Sequence, residues 1–147
     1  PIEDKDYWRE CQDEIKLLPS NIKVNYCGLV SHDQIHETFS RYHAFLFPTF
    51  SENFGHVIAE ALSVGCPVII SDQTPWNDVE KYNAGWALAI DKEQLFVNAI
   101  RALMGYKNND EGKIRVNSKK YFALKNNLEV IKKRYRTSFF KVRTDFK

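Results

Sequence analysis

The chain has 147 residues, 44% hydrophobic and 27% charged, a composition that suits one globular domain with its own core and disfavours disorder. No apolar run approaches the roughly 18 residues of a bilayer span, and Pro1-Ile2-Glu3-Asp4-Lys5 is unlike a signal peptide, which disfavours a secreted or membrane-spanning protein. The net charge of +2 conceals a segregation: residues 1–100 hold 7 basic and 15 acidic side chains, a balance of −8, whereas residues 101–147 hold 14 and 4, a balance of +10.

In residues 4–18, Trp8, Cys11, Ile15 and Leu18 fall at helical intervals, with Pro19 as the stop. Ile22, Val24 and Tyr26 alternate with polar residues and predict a strand closed by Gly28. Ser31 is placed to cap a helix over 32–42, with Ile35 and Phe39 facing inward. The run Ala44 to Pro48 is short, apolar and aromatic, as a strand buried on both faces should be. A helix over 54–64 follows, ended by Gly65, then a buried strand Pro67 to Ile70. Pro75 suits the first turn of a helix ended by Gly85. Trp86 to Ile90 reads as a last strand before a helix over 92–104.

Strands alternating with helices imply a Rossmann-like, doubly wound parallel sheet, an α/β domain over 1–105. Residues 106–147 read as its basic helical tail, with helices near 110–125 and 127–146. In the latter, Leu128, Ile131, Tyr135, Phe139, Val142 and Phe146 form an apolar stripe. The three cysteines, 11, 27 and 66, have neither an even count nor a metal-like spacing and read as reduced, buried thiols. His32 and His36 stand at i, i+4, which a zinc pair could use, but a solvated helix face accounts for them better.

In an open parallel sheet, ligands bind beyond the carboxyl ends of the strands. The richest loop there is Pro48 to Gly55, which leads into a helix whose first turn offers free backbone N–H groups and a positive dipole end. Gly55 lets a phosphate approach the backbone closely. Glu52 and Glu60 bracket this turn, and Glu60 stands about 7 Å along the helix from its first amides. Carboxylates accept well from sugar hydroxyls, so the spacing suggests a nucleotide sugar with diphosphate over the helix start, ribose at Glu60 and hexose at Glu52. The same two glutamates also fit an ordinary solvated helix flank, because Glu60 borders the apolar face.

Glu52-Asn53-Phe54-Gly55, then Glu60-Ala61, Gly65-Cys66-Pro67-Val68-Ile69 and Ser71-Asp72 together resemble the paired-glutamate signature of retaining GT-B glycosyltransferases of family 4, also called group 1. The resemblance covers about residues 20–105. It implies the carboxyl-terminal, donor-binding half of such an enzyme, which transfers a hexosyl group from a nucleotide-diphosphate sugar without a metal or other cofactor. It implies that Glu52 contacts the donor hexose near the reacting carbon and that amides of Phe54, Gly55, His56 and Val57 hold sugar and diphosphate. Glu60 would accept from the ribose hydroxyls, and the backbone at Val30 and Ser31 would meet the base. Pro75-Trp76 resembles a variant of one branch of the family; many relatives carry a glutamate nearby, and here Asp78 and Glu80 are the nearby acids.

In that chemistry the bond from the anomeric carbon to diphosphate loosens first, and stabilising the departing diphosphate is the main electrostatic task; a covalent glutamate nucleophile is not implied. The resemblance also implies that the first strand and helix of the donor domain, with an Arg and a Lys that clamp the diphosphate, lie outside this chain. So does the amino-terminal acceptor domain, and a fragment inactive alone is expected. The apolar stripe of the tail is then a surface for the other domain, with contact of its basic face to anionic membrane as a second role, in a cytoplasmic protein that does not bind nucleic acid. Two further readings compete: a nucleotide-sugar epimerase or phosphorylase of related fold, and a non-catalytic module whose basic tail meets anionic lipid or nucleic acid.

Overall fold

The computed structural model describes residues 4–127. They form two compact units that divide between Gln34 and Ile35.

The first unit is built on helix α1, Lys5–Lys16, capped by Asp4, whose carboxylate accepts from the amides of Asp6 and Tyr7. Its apolar stripe is real but shallow: Trp8, Cys11 and Ile15 are half-buried, and the Trp8 ring packs on Tyr26 with centroids 4.9 Å apart. The expected strand over 22–27 does not form. A strand needs a neighbour to complete its ladder, and among the described residues none pairs with this segment, so Ile22, Val24 and Tyr26 stay about half exposed. Ser31 opens a 3-10 turn, His32–Gln34, by accepting from the Gln34 amide (2.9 Å).

The second unit holds a parallel sheet of β1 (Phe45–Phe47), β2 (Val68–Ser71) and β3 (Gly85–Leu88), in the order β1-β2-β3. Phe45 pairs with Val68, and Val68 with Gly85. The chain is thus α/β, with a Rossmann-like parallel sheet. Central β2 is buried along its whole length, and alternate residues serve two helical layers. Val68 and Ile70 face α3 (His56–Ser63) and α5 (Asn108–Lys125), packing with Ile58, Leu62 and Tyr121. Ile69 faces α4 (Glu93–Met104) and packs with Phe96 and Ala99. Burying a side chain of this size contributes about 1.5–3 kcal/mol. The short α2, Ile35–Ser40, adds Phe39, which meets Phe45 edge-on at 4.9 Å.

The helix expected from Pro75 is instead a series of tight turns. Asn77 donates to the Thr74 carbonyl, Val79 to Trp76 and Lys81 to Asp78, and a 3-10 turn spans Val79–Tyr82. Residues i and i+3 eclipse in such turns, which lets Trp76 and Val79 enter the same core. Of the cysteines, Cys66 is fully buried and Cys11 half-buried, but Cys27 is exposed, contrary to the buried reading; its unpaired segment has nothing to bury it. The apolar stripe from Leu128 to Phe146 lies outside the described residues.

Candidate functional site

The site is built where β1 and β2 end. After β1 the loop from Pro48 to Gly55 turns back over the sheet. Thr49 Oγ1 donates to the Ser51 carbonyl (2.9 Å), and the Glu52 amide donates to the Gln73 carbonyl (3.3 Å), tying this loop to the one that follows β2. Ser71, the last residue of β2, keeps a fully buried hydroxyl without a hydrogen-bond partner among the described residues.

Gly55 is the N-cap of α3 and stands in the left-handed region at φ 74°, ψ 53°, which favours a residue without Cβ. Space beside it is tight as well. A Cβ here would lie 3.0 Å from Ile58 Cδ1 and 3.1 Å from Trp76 Nε1. Its carbonyl starts the helix by accepting from Ala59 (3.0 Å). No side chain caps the helix, and no acidic residue stands in its first turn. The amides of His56 and Val57 therefore open α3 with the positive end of its dipole uncompensated from within.

In the chain, Glu52 precedes this opening and Glu60 stands one turn beyond it. Glu52 is half-buried, and its Oε1 accepts a long hydrogen bond from the Phe54 amide (3.4 Å); that amide, expected to face a ligand, is turned toward the glutamate. Glu60 is half-buried on α3, and its carbonyl accepts from Ser63 Oγ (2.7 Å). Phe54 is 49% exposed, with its ring 4.4 Å from that of exposed His56. Val30 and Ser31 are exposed residues of the first unit. There the Ser31 side chain hydrogen-bonds Asp33 and, ahead of smaller contributions, holds its carboxyl below the usual range.

The acids beyond Pro75 have other duties. Asp78 accepts from Tyr121 Oη and from Lys125 Nζ (2.8 Å). Burial pushes its carboxyl up, but these two hydrogen bonds and the lysine charge outweigh that and hold it below the ordinary value. Glu80 Oε1 accepts from the Ala87 amide (3.3 Å), closing an otherwise open position of edge strand β3.

Sequence reasoning passed over the contribution of α5. Arg115 donates to the Tyr42 carbonyl (2.6 Å) and Lys125 to the Pro75 carbonyl (3.2 Å), while the Ser118 hydroxyl donates within its own helix to the Ile114 carbonyl (2.9 Å), with the Ala84 carbonyl at 3.2 Å. Part of the positive charge beyond residue 100 is thus spent on this domain's own backbone. The available signal was Gly65, which stands at φ 83° where a Cβ would meet the Arg115 carbonyl at 2.9 Å; it marks a close helix–helix approach that reads in sequence only as a helix stop.

The model of the glycosyl transferases group 1 family matches residues 4–121. No curated protein matches the chain. With the family match spanning both units up to Tyr121, and the two glutamates flanking an uncapped helix start, the chain belongs to the glycosyl transferases of group 1.

Proposed function

We propose that this chain is the donor-binding half of a retaining glycosyltransferase that takes a hexosyl group from a nucleotide-diphosphate sugar. The observation that carries the reading is the opening of α3: a left-handed, space-limited Gly55 at an N-terminus with no side-chain cap and no first-turn acid. An anion is the complement of such a terminus, and the flanking carboxylates are acceptors for hydroxyls.

The diphosphate then lies over the amides of Gly55, His56 and Val57, with the ribose hydroxyls at Glu60 and the hexose at Glu52. Donor binding replaces the 3.4 Å contact between Glu52 and the Phe54 amide with contacts from both groups to the sugar. As the bond to the anomeric carbon loosens, charge grows on the departing diphosphate, where fixed N–H dipoles act without reorganising. No metal is required for this role. A separate acceptor domain supplies the second substrate.

The test is a titration of the chain with UDP, GDP and ADP followed by amide NMR. One of the three should shift the resonances of residues 54–60. Silence across that segment with all three nucleotides would overturn the reading.

A further inference from the structure

We infer that Trp76 is a positioning residue for the donor-binding turn, which it holds through the carbonyl of Phe54. The inference rests on the donor-site reading above and adds to it what keeps the turn in shape.

Trp76 stands on the loop after β2, 22 residues from the turn it touches. Its indole Nε1–H donates to the Phe54 carbonyl at 2.8 Å. The edge of the same ring fills the space a side chain at position 55 would occupy, with Nε1 at 3.1 Å and Cδ1 at 3.2 Å. One side chain thus fixes the peptide entering Gly55 and walls the face of Gly55 itself. A turn of this kind has few restraints of its own: its N-cap has no side chain, and the long hydrogen bond at Phe54 is made by a carboxylate that the donor needs.

The ring is held in turn from α5. Trp76 is 4% exposed and meets Tyr121 edge-on, centroids 5.7 Å apart at 78°. Lys125 Nζ lies 6.0 Å from the Trp76 ring and 5.6 Å from that of Tyr121, within reach of a cation–π attraction. The lysine is fixed by the Pro75 carbonyl and by Asp78, which Tyr121 also engages. Tyr121 and Lys125 are four residues apart and share a helix face. The last turn of α5 therefore supports the helix start that receives the anion.

A buried tryptophan can also serve packing alone, and Trp76→Phe separates the two roles because it keeps an aromatic ring in the core and deletes the donor. In the free protein, hydrogen exchange at Ala59, whose amide donates to the Gly55 carbonyl, should quicken by more than exchange in β2 and α5, beyond the drop in urea midpoint that the smaller ring brings. Exchange raised equally at Ala59 and throughout β2 and α5 would overturn the inference in favour of packing. In the titration, whichever of UDP, GDP and ADP binds the parent should bind Trp76→Phe several-fold more weakly, with about tenfold, the ratio one neutral hydrogen bond is worth, as the ceiling. Equal affinity would overturn the positioning role and leave the donor site standing. If the parent binds none of the three, both fall together. Should Trp76→Phe fail to fold, a benzothienyl analogue of the tryptophan, in which sulfur replaces N–H on the same bicycle, takes its place with the same expected and overturning results.

Discussion

Glu60 and Cys66 sit six positions apart and show how differently two side chains relate to their surroundings. Glu60 is half-buried one turn into α3; in the role proposed for it, a charged acceptor for ribose hydroxyls contributes about 1.5–3 kcal/mol per hydrogen bond. Glu60→Ala should therefore weaken the nucleotide that binds by at least about tenfold, read by titration calorimetry. Cys66 is fully buried, and burial pushes its thiol up to about 11 against the lowering charge of Arg115. The thiolate is the reactive form. Iodoacetamide at pH 8 should thus modify exposed Cys27 and leave Cys66 intact until denaturant is added, as peptide mass mapping will show. Its place was legible in the sequence, between a helix-ending glycine and an apolar strand; the exposure of Cys27 was not, because alternation alone does not supply a pairing partner.

At the scale of elements, α5 carries what periodicity could not reveal. Its existence is readable from its helix formers, but its apolar residues are sparse and its anchors are polar: Arg115 and Lys125, each donating to a backbone carbonyl of another segment. Asp78, joined to Tyr121 and Lys125, makes the attachment sensitive to pH. Its carboxyl titrates lower in the folded chain than in the unfolded one, where a value of about 3.9 applies. The stabilisation is therefore complete above about pH 4 and is lost as pH falls through the folded value. Urea midpoints measured from pH 6 to pH 3 should decline less steeply in Asp78→Asn than in the parent, the difference falling below about pH 4. The loop after β2 teaches the same lesson in reverse. Pro75 is a sound helix starter, yet successive i to i−3 bonds take over because they seat Trp76 and Val79 together in the core.

Across the molecule, burial is confined to one unit. No residue of 4–34 is buried, whereas β2 and much of α3 are fully enclosed. Exchange free energies follow such differences in enclosure. Amides of β2 and α3 should be the slowest to exchange, and those over 22–30, which form no ladder, should exchange within the dead time of a mass-spectrometric experiment. Slow exchange over 22–30 would contradict the unpaired state of that segment. Among the described residues no helix is long and apolar enough to cross a membrane.

The sequence by itself determined the α/β class, the three strands of the sheet and the turn between Glu52 and Glu60, since each depends on local periodicity, a short apolar run or a motif of fixed spacing. It also located Gly55, whose left-handed backbone is a local requirement. Only the tertiary structure decided that Ile22 to Cys27 stays without a ladder, that Asp78 and Glu80 bind within the domain, and that Trp76 holds Phe54 while Lys125 and Tyr121 hold Trp76. Those outcomes depend on contacts between residues far apart in the chain, and no local pattern encodes which distant carbonyl an indole or an ammonium group will meet.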